Sequence, residues 1–475
     1  MNVLFASSES TPFAMSGGLG EVAGALPKAL VEKGEDVRVI LPLYECVTEE
    51  QRKEMKFLCY FDVPVAWRNQ YCGIFEAKVN HVTYYLIDNE YYFKRPGLYG
   101  YYDDAERFAY FARAVLETIA HLDGFKPDVI HCNDWQTALI PLYYNCFYKY
   151  RPGYENIRTV YTIHNIQYQG VYGKELLDEV IGISPSDYSL LDYDGLVNFS
   201  KSAIECCNKV TTVSPSYANE ILDPWFSHGL DRILHKNLWK MVGILNGIDT
   251  DSYNPETDPA LKYKYSSKRK ANKARCKKAL QAQFGFEEKQ EVPIIALISR
   301  LVSHKGLDLV TSVIDELLYK TEVRVIVLGA GDSYYEDYFR GVAARHPDKF
   351  RLELGFNTQL ARQIYAGSDI FLMPSKSEPC GLSQMIALRY GTIPIVRETG
   401  GLKDSVSDCG DGIGNGFTFK TYNAHDMLWA IERSIYMFYN EKQNWKELVT
   451  RAMNCDNSWS KSAELYINMY NEATS

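Results

Sequence analysis

The residues best suited to chemistry begin with two basic side chains near position 300. Arg300 ends an apolar run that predicts a strand, and Lys305 follows five residues later. Since both charges would lie at the carboxyl end of one strand, they could neutralise a diphosphate leaving group. Taken alone, the pair is more typical of ordinary surface charge.

A second candidate lies in segment 377–383, which reads Ser-Glu-Pro-Cys-Gly-Leu-Ser. Glu378 stands just before a run with helical periodicity, and the first N–H groups of a helix can bind anions. A single glutamate in this position is usually a helix cap. Together with Arg300 and Lys305, it predicts a site for a phosphorylated ligand.

The glycines fit neither of two common nucleotide-binding signatures. Segment 16–22, Ser-Gly-Gly-Leu-Gly-Glu-Val, departs from G-x-G-x-x-G and begins about nine residues after its strand. The segment Gly329-Ala330-Gly331 lacks a third glycine, and a plain strand-to-helix turn explains it equally well. Walker A spacing is absent. These patterns disfavour a dinucleotide oxidoreductase and a P-loop enzyme.

Cysteine and histidine spacing indicates neither a disulfide framework nor a metal site. The eleven cysteines are scattered, which suits reduced thiols and a cytoplasmic protein. The N-terminus reads directly as a strand, with no signal peptide. His131 and Asp134 have a metal-like spacing, but no further ligand accompanies them. We therefore expect no metal site, and we interpret Cys380 as a neighbour of the site rather than a nucleophile.

Charge and hydropathy also exclude some partners. The 51 basic and 60 acidic residues give a net charge of −9, which disfavours a broad surface for nucleic acid or an anionic membrane. No apolar run approaches the roughly 20 residues of a membrane helix. The segment Lys262–Lys278 holds nine basic residues and no acidic one, and we predict a solvated helix face there.

The elements that must position these residues alternate between strand and helix. In the first half, apolar runs predict strands at 3–7, 36–41, 128–131, 159–163 and 209–213, helices around 22–30, 105–119 and 136–148, and a hairpin at 56–79. In the second half, strands are predicted at 293–299, 323–328, 350–354, 369–372 and 393–396, with helices at 306–319 and 381–390. Such alternation predicts parallel sheets covered by helices on both faces.

Two such series predict two doubly wound domains. Turn signals at Asn246-Gly247 and Asn254-Pro255 place the joint near 242–254. Because open α/β sheets bind ligands at the carboxyl ends of their strands, two facing domains would form a cleft.

Different short motifs follow one another in a fixed order along almost the whole chain. They are Gly17-Gly18-Leu19, Asp104 to Phe108, Asp134-Trp135, His164 to Gly170, Asn246 to Asp249, Ser299-Arg300-Leu301, Lys305-Gly306, Pro374-Ser375, Glu378 to Leu382 and Thr399 to Leu402. With these motifs the chain closely resembles the bacterial glycogen synthases and plant starch synthases, which form glycosyltransferase family 5.

This resemblance implies a GT-B fold, in which two Rossmann-like domains face a deep interdomain cleft and close during the reaction. It implies an N-terminal acceptor-side domain at 1–243, a C-terminal donor-side domain at 244–455, and a final helix at 456–475 that crosses back. The implied reaction is retaining transfer of glucose from ADP-glucose to an α-1,4-glucan such as glycogen, without a metal or other cofactor.

The resemblance also assigns roles to single residues. The catalytic set would be Glu378, Arg300, Lys305 and His164. Donor binding would involve Met15, Gly17, Gly18, Asn246, Phe356, Cys380, Gly381, Leu382 and Ser383, with the Phe356 ring stacked on the base. Sugar or acceptor binding would involve Glu9, Asp134, Trp135, Asn165 and Gln169. Without the family context, His164 would read as a structural histidine, and Asp134-Trp135 as a helix start with a core residue.

The chain departs from the family pattern in its N-terminal half. Met15 stands where the family has a lysine that contacts the donor phosphates, Glu21 replaces an aspartate, and Asp104 replaces an asparagine. Loss of one charged hydrogen bond of about 1.5–3 kcal/mol would weaken binding or rate tenfold to a hundredfold.

Two other functions remain in view. One is the same reaction with UDP-glucose, since Phe356 would stack on either base. Another is a catalytically weakened glucan-binding or regulatory homologue, which Met15 favours. A sucrose-synthase-like enzyme is disfavoured, because Ile386 stands where those enzymes carry a second glutamate.

Overall fold

The computed structural model describes all 475 residues and divides into two compact units. The first unit comprises Met1–Ile244 and Trp459–Ser475, and the second comprises Leu245–Ser458. None of the helices combines the length and the apolar character needed to cross a membrane.

The strands fall into three sheets. In chain order they are β1 (Asn2–Ala6), β2 (Asp36–Pro42), β3 (Lys56–Val65), β4 (Arg68–Val79), β5 (Val82–Asp88), β6 (Val129–Asn133), β7 (Arg158–Ile163), β8 (Val171–Tyr172), β9 (Asp192–Tyr193), β10 (Leu196–Asn198), β11 (Lys209–Thr212), β12 (Met241–Gly243), β13 (Ile294–Ile298), β14 (Arg324–Gly329), β15 (Phe350–Leu354), β16 (Ile370–Met373), β17 (Ile393–Arg397) and β18 (Phe417–Phe419).

The α-helices mostly connect these strands. They are α1 (Gly18–Glu32), α2 (Glu49–Lys53), α3 (Glu90–Phe93), α4 (Asp104–Ile119), α5 (Leu139–Tyr143), α6 (Phe199–Cys206), α7 (Pro215–Glu220), α8 (Asp231–Lys236), α9 (Ala271–Gln283), α10 (Leu307–Lys320), α11 (Ser333–Arg345), α12 (Thr358–Gly367), α13 (Ser383–Arg389), α14 (Gly400–Ser405), α15 (Ala424–Asn440), α16 (Lys442–Met453) and α17 (Trp459–Thr474).

The first unit is built on a nine-stranded sheet in the order β12-β11-β7-β6-β1-β2-β5-β4-β3. The strands from β12 to β5 are parallel, and β4 and β3 extend the sheet as an antiparallel hairpin. Val3, Leu4 and Phe5 are fully buried, as expected for a strand covered on both faces. Because β1, β6 and β7 are neighbours, the loops that follow them meet at one edge of the sheet.

The second unit holds an all-parallel sheet in the order β15-β14-β13-β16-β17-β18. The neighbours β13 and β16 are distant in sequence, so the chain crosses over to place the loops after them side by side. A small antiparallel sheet of β8, β10 and β9 completes the first unit.

The predicted strands and the hairpin at 56–79 are confirmed, with shifts of a residue or two at their ends. The helical stretch predicted over 136–148 is confirmed, although it is not one regular α-helix. The segment consists of a 3-10 turn at Trp135–Thr137, the short α5, and a π-helical turn at Tyr144–Tyr148. Pro141 lies inside α5 and has no N–H for the helical ladder, which accounts for part of the irregularity.

The prediction of a solvated face over Lys262–Lys278 is wrong for two of its lysines. The Lys273 ammonium is buried and donates to the carbonyl oxygens of Ala366, Ser368 and Tyr390 at 3.0 Å. Lys277 is buried too, and its Nζ lies 2.7 Å from Asp369. Because each cation faces inward-pointing oxygens, both lysines secure α9 to the sheet instead of facing water.

The last helix belongs to the core of the first unit. Trp459, Ala463, Tyr466 and Tyr470 of α17 are buried in the same cluster as the strands β1 and β2. The Tyr470 hydroxyl lies 2.7 Å from His131 Nδ1. The helix that completes the first unit therefore follows the whole of the second unit in the sequence.

Candidate functional site

In the second unit, the loops after β13 and β16 bring two predicted residues together. Lys305 Nζ lies 2.6 Å from Glu378 Oε2, and the Ser375 hydroxyl donates to the same oxygen at 3.0 Å. Lys305 ends a short 3-10 turn that Gly306 terminates with a φ of +74°. A Cβ at Gly306 would lie 2.1 Å from the Pro374 carbonyl oxygen, so only glycine allows the two loops to pack this closely.

Positive charge accumulates beside this ion pair. Arg300 is exposed and forms no ion pair within the protein. Burial lowers the pKa of His304, and the charges of Lys305 and Arg300 lower it further. Since the positive charge here disfavours protonation of His304, the region is suited to bind an anion.

Two glycines hold the segment that contains Glu378. The Gly401 N–H donates to the Glu378 carbonyl at 3.2 Å. A Cβ at Gly400 would lie 2.0 Å from that carbonyl oxygen, and one at Gly401 would lie 2.2 Å from the Cys380 carbonyl oxygen. The pair Gly400-Gly401 thus lets two backbones touch directly, and that contact fixes the position of Glu378.

The segment after Glu378 leads into α13. Gly381 has a φ of +71°, and no side chain caps the backbone N–H groups that begin the helix at Leu382 and Ser383. Burial raises the pKa of Cys380 to about 12, so its sulfur is a protonated thiol near neutral pH. This agrees with the interpretation of Cys380 as a neighbour rather than a nucleophile.

Two further donor-binding predictions, Asn246 and Phe356, lie in the same unit. Asn246 is buried, and its side-chain oxygen has no hydrogen-bond partner in the protein. Phe356 follows the strand β15 directly and is 83% exposed, with no other ring stacked on it. A buried acceptor without a partner and a bare aromatic ring are both suited to contact a ligand.

In the first unit, residues after β6 and β7 form a second cluster. Asp134 has a φ of +56°, and its Oδ1 accepts from the backbone N–H groups of His164 at 2.7 Å and Asn165 at 3.4 Å. Burial raises the pKa of Asp134 to about 7 and lowers that of His164 to about 3. The imidazole is therefore neutral at physiological pH.

Sequence reasoning missed Asn133, which contacts the His164 ring. Its Oδ1 lies 2.9 Å from His164 Nε2, and its amide donates to the Ala6 carbonyl at 3.0 Å. The only signal in the sequence is a polar residue at the carboxyl end of an apolar strand. This signal does not show that Asn133 contacts His164, which lies 31 residues further along the chain.

The N-terminal loop has an exposed, uncapped helix start. Gly17 and Gly18 are exposed, and a Cβ on either would meet nothing within 4 Å. The buried Glu9 carboxylate accepts the Ser16 backbone N–H behind them. Burial raises the pKa of Glu9, while the hydrogen bonds from Ser16 and Gly17 oppose this effect. Met15 is 54% exposed.

Two predicted sugar contacts, Gln169 and Trp135, have contacts within the protein. The Gln169 amide donates to the carbonyls of Ile166 and His228, and its oxygen accepts from Asn198 at 2.7 Å. With these bonds the buried side chain is committed to the protein, and we remove it from the ligand-binding set. The Trp135 ring packs among aromatic side chains, the nearest being Phe108 at 5.2 Å between centroids.

Two further polar residues of the sequence analysis also serve the fold. Asp104, buried, pairs with the fully buried Arg107 at 2.6 Å and accepts the Gly100 N–H at 2.8 Å. His131 has both ring nitrogens engaged, by the hydroxyls of Tyr470 and Thr162. No group of three or more metal-ligating side chains lies together.

Family models match both halves of the chain. The starch synthase catalytic domain matches residues 2–236, and the glycosyl transferases group 1 domain matches residues 280–447. Two similar relatives are the glycogen synthases of Clostridium acetobutylicum and Bacillus cereus, each 50% identical over 99% of both chains.

A solved structure is similar along the whole chain. It is the catalytic domain of starch synthase IV from Arabidopsis thaliana bound to ADP and acarbose, which is 36% identical, with a TM-score of 0.91 over 100% of this chain and 99% of that one. The sucrose-phosphate synthase of Thermosynechococcus elongatus, at 15% identity and a TM-score of 0.61, shares the fold. With two parallel-sheet units, the chain belongs to the glycogen and starch synthase family, the retaining glucosyltransferases of GT-B fold that extend a glucan.

Proposed function

We propose that this chain transfers glucose from ADP-glucose to the non-reducing end of an α-1,4-glucan such as glycogen, with retention at the anomeric carbon. The observation that supports this most is the ion pair of Lys305 and Glu378 at 2.6 Å beside the exposed Arg300. Lys305 and Arg300 provide two cations for a departing diphosphate, and Glu378 provides a carboxylate for the sugar.

The two cations would act on the leaving group. As the bond from the anomeric carbon to the phosphate breaks, negative charge grows on the diphosphate oxygens. Lys305 is held in place by Glu378, and both of its remaining N–H bonds are available for those oxygens. Positive charges fixed before the reaction stabilise such a transition state without reorganising. Glu378 would hold sugar hydroxyls and balance the positive charge that develops on the ring.

The first unit would contribute the groups that hold glucose and the acceptor. His164 would accept a hydrogen bond from a glucose hydroxyl, and Asp134 would keep the backbone of His164 and Asn165 in place. We accordingly propose that residues 1–243 form the acceptor side, residues 244–455 the donor side, and residues 456–475 a helix that returns to the first domain. The acceptor hydroxyl then attacks the face that the leaving group vacates and gives its proton to the departing diphosphate oxygen, which results in retention.

ADP-glucose is favoured over UDP-glucose by one similar protein. The Arabidopsis starch synthase IV was solved with ADP bound. The Phe356 ring could stack on either base, so the ring alone does not select adenine. Eleven free cysteines without a disulfide suit a reaction in the cytoplasm.

The donor is tested by measuring glucose incorporation into glycogen from radiolabelled ADP-glucose and UDP-glucose in parallel. We expect incorporation from ADP-glucose at a kcat/KM well above that from UDP-glucose. A preference for UDP-glucose would overturn the donor assignment and keep the synthase.

The role of Glu378 is tested by Glu378→Gln, which keeps the size and a hydrogen-bond acceptor but removes the charge. We expect kcat to fall about 100- to 1,000-fold, the usual effect of removing one preorganised electrostatic group. Glu322→Gln is a matched control. Glu322 also forms ion pairs, with Arg324 and Lys349, but it lies just before β14, at the amino end of the same sheet and away from the candidate site. Full activity in Glu378→Gln would remove Glu378 from the mechanism.

Met15 supports one competing function, a glucan-binding homologue with little activity. An exposed apolar side chain occupies the position of the family's lysine. Glycogen binding without incorporation from either donor would favour this function over the synthase.

A further inference from the structure

The orientation of the Asn133 side chain is determined by its hydrogen bonds. Its Nδ2 donates to the carbonyl oxygens of Ala6 at 3.0 Å and His131 at 3.3 Å. A rotated amide would place its oxygen against both carbonyls and lose both bonds. Because the amide is buried, this loss would not be offset by water. The oxygen Oδ1 therefore points away from the carbonyls, toward His164.

This orientation decides which nitrogen of His164 carries the proton. His164 Nε2 lies 2.9 Å from Asn133 Oδ1, and this oxygen can only accept. Burial keeps the imidazole neutral by lowering its pKa to about 3, so the ring carries a single N–H. That N–H must be at Nε2. The other nitrogen, Nδ1, keeps its lone pair and has no hydrogen-bond partner in the protein.

The His164 residue is also held from its backbone. Its N–H donates to Asp134 Oδ1 at 2.7 Å, while its ring is bonded to Asn133. Asn133 and Asp134 are consecutive residues at the end of β6, so one short segment restrains both parts of the histidine. A ring restrained in this way loses little conformational freedom when it binds a ligand.

We propose that Asn133 is a positioning residue that fixes His164 as the Nε2–H tautomer and presents Nδ1 as a hydrogen-bond acceptor for a hydroxyl of the transferred glucose. The proposal rests on the proposed function, because it takes the sugar contact of His164 from there. Every glucose hydroxyl can donate to a lone pair. The opposite tautomer would offer an N–H instead and force that hydroxyl to reverse its hydrogen bond.

The tautomer is measured first, in the protein without ligand. We would record ¹⁵N spectra of histidine-labelled protein and assign the His164 signals by their loss in His164→Gln. We expect a protonated Nε2 and an unprotonated Nδ1 in the unmodified chain and in Asn133→Asp, which keeps an acceptor. Asn133→Leu removes the acceptor, and we expect at least part of the proton to move to Nδ1.

A matched control is Asn208→Leu. Asn208 accepts the Thr159 N–H at 2.9 Å at the other end of β7, so this variant loses a side-chain bond in the same sheet far from the His164 ring. It should leave the His164 signals unchanged. A protonated Nδ1 in the unmodified chain would overturn the assignment of the tautomer.

Kinetics then connect the tautomer to the reaction. We expect Asn133→Leu to lower kcat/KM about 10- to 100-fold, Asn133→Asp to recover part of this loss, and Asn208→Leu to retain the full value. An Asn133→Leu chain with a changed tautomer and unchanged kcat/KM would overturn the link to catalysis and would also argue against a sugar contact at His164. Inactivity of the unmodified chain toward both donors would instead reject the proposed function and leave the tautomer result intact.

Discussion

At the scale of single residues, the candidate site depends on charges that are held by named neighbours. Lys305 is paired with Glu378, and Asp134 accepts the backbone N–H groups of His164 and Asn165. Met15 is the exception, because it is exposed and carries no charge. Two predictions therefore concern single residues. Met15 is uncharged where the family has a lysine, and burial raises the pKa of Asp134.

We expect Met15→Lys to raise kcat/KM for the nucleotide sugar about tenfold at low ionic strength. A cation beside Gly17 and Gly18 would add one charge-assisted hydrogen bond to the donor phosphates, and salt would weaken its effect. The measurement is the initial rate of incorporation at about 20 mM and about 200 mM salt, a tenfold rise in ionic strength that shortens the screening length about threefold. Met15→Gln is the control for polarity and length, and equal rates in the two variants would show that the loop is compensated without the charge.

We expect Asp134 to make stability depend on pH. Its folded-state pKa is raised to about 7, so the folded chain binds this proton more tightly than the unfolded chain does. The stabilisation is fully present below the unfolded pKa of about 3.9 and is lost as pH rises through about 7. Between pH 5 and pH 8 the loss is on the order of 2 kcal/mol.

The test for Asp134 compares urea unfolding of the unmodified chain with that of Asp134→Asn at pH 5 and pH 8. Asparagine keeps the acceptor oxygen, tolerates the positive φ, and does not titrate. The variant should therefore lose less stability over this range. An identical loss in both chains would show that Asp134 ionises at its ordinary pKa.

At the scale of elements, close contacts between loops determine where the functional groups stand. The start of α14 touches the segment from Glu378 to Cys380 through Gly400 and Gly401, and the loop after β13 touches Pro374 through Gly306. Lys273 secures α9 to carbonyls at the sheet edge. Burial lowers the pKa of Lys273 to about 8, and the nearby charge of Asp369 opposes this effect. In each case the residue type at a position is required because the main chain of another segment packs against it.

We expect Gly401→Ala to lower kcat/KM at least tenfold. Its Cβ would lie 2.4 Å from the Cys380 Cα, so one backbone has to move and Glu378 moves with it. Gly341→Ala is the control, because its Cβ in α11 would meet only the end of the flexible Arg345 side chain. The measurement is the steady-state rate of both variants after circular dichroism has shown that they are folded. Unchanged kinetics in Gly401→Ala would mean that this loop contact does not position Glu378.

At the scale of the whole molecule, the first unit is discontinuous in sequence. The chain leaves this unit after Ile244 and returns to it at Trp459. The helix α17 then fills a place in a core made by the first strands of the chain. Folding of the first unit thus requires contacts between residues more than 300 positions apart, such as His131 and Tyr470.

We expect Tyr470→Phe to lower the unfolding free energy of the first unit by about 1–3 kcal/mol. The substitution leaves the buried His131 nitrogen without its hydroxyl partner while the apolar packing of the ring remains. Hydrogen exchange measured by mass spectrometry should become faster in β6 and α17 but not in β13 to β18. Tyr436→Phe, at an exposed position on α15, is the control and should change neither region. Equal protection in Tyr470→Phe and the unmodified chain would show that the hydroxyl contributes nothing.

The sequence by itself determined the fold class and predicted where the candidate site lies. Continuous apolar runs alternating with helical periods require two parallel sheets, because such strands are stable only when both faces are covered. The chemical types in the motifs also predicted an anionic donor around Arg300, Lys305 and Glu378. These features could be predicted because each depends on a local period or a local motif.

Tertiary structure alone decided which of these residues meet and which serve the fold. Lys305 and Glu378 are 73 residues apart and meet because β13 and β16 are neighbours in the sheet. Asn133 and His164 meet because β6 lies beside β7. Gln169 matched a family motif, yet its bonds to Ile166 in its own loop and to His228 and Asn198 in two other segments commit it to the protein. Local sequence patterns specify strands and helices but not their neighbours, since strand order is selected by the packing of the whole unit.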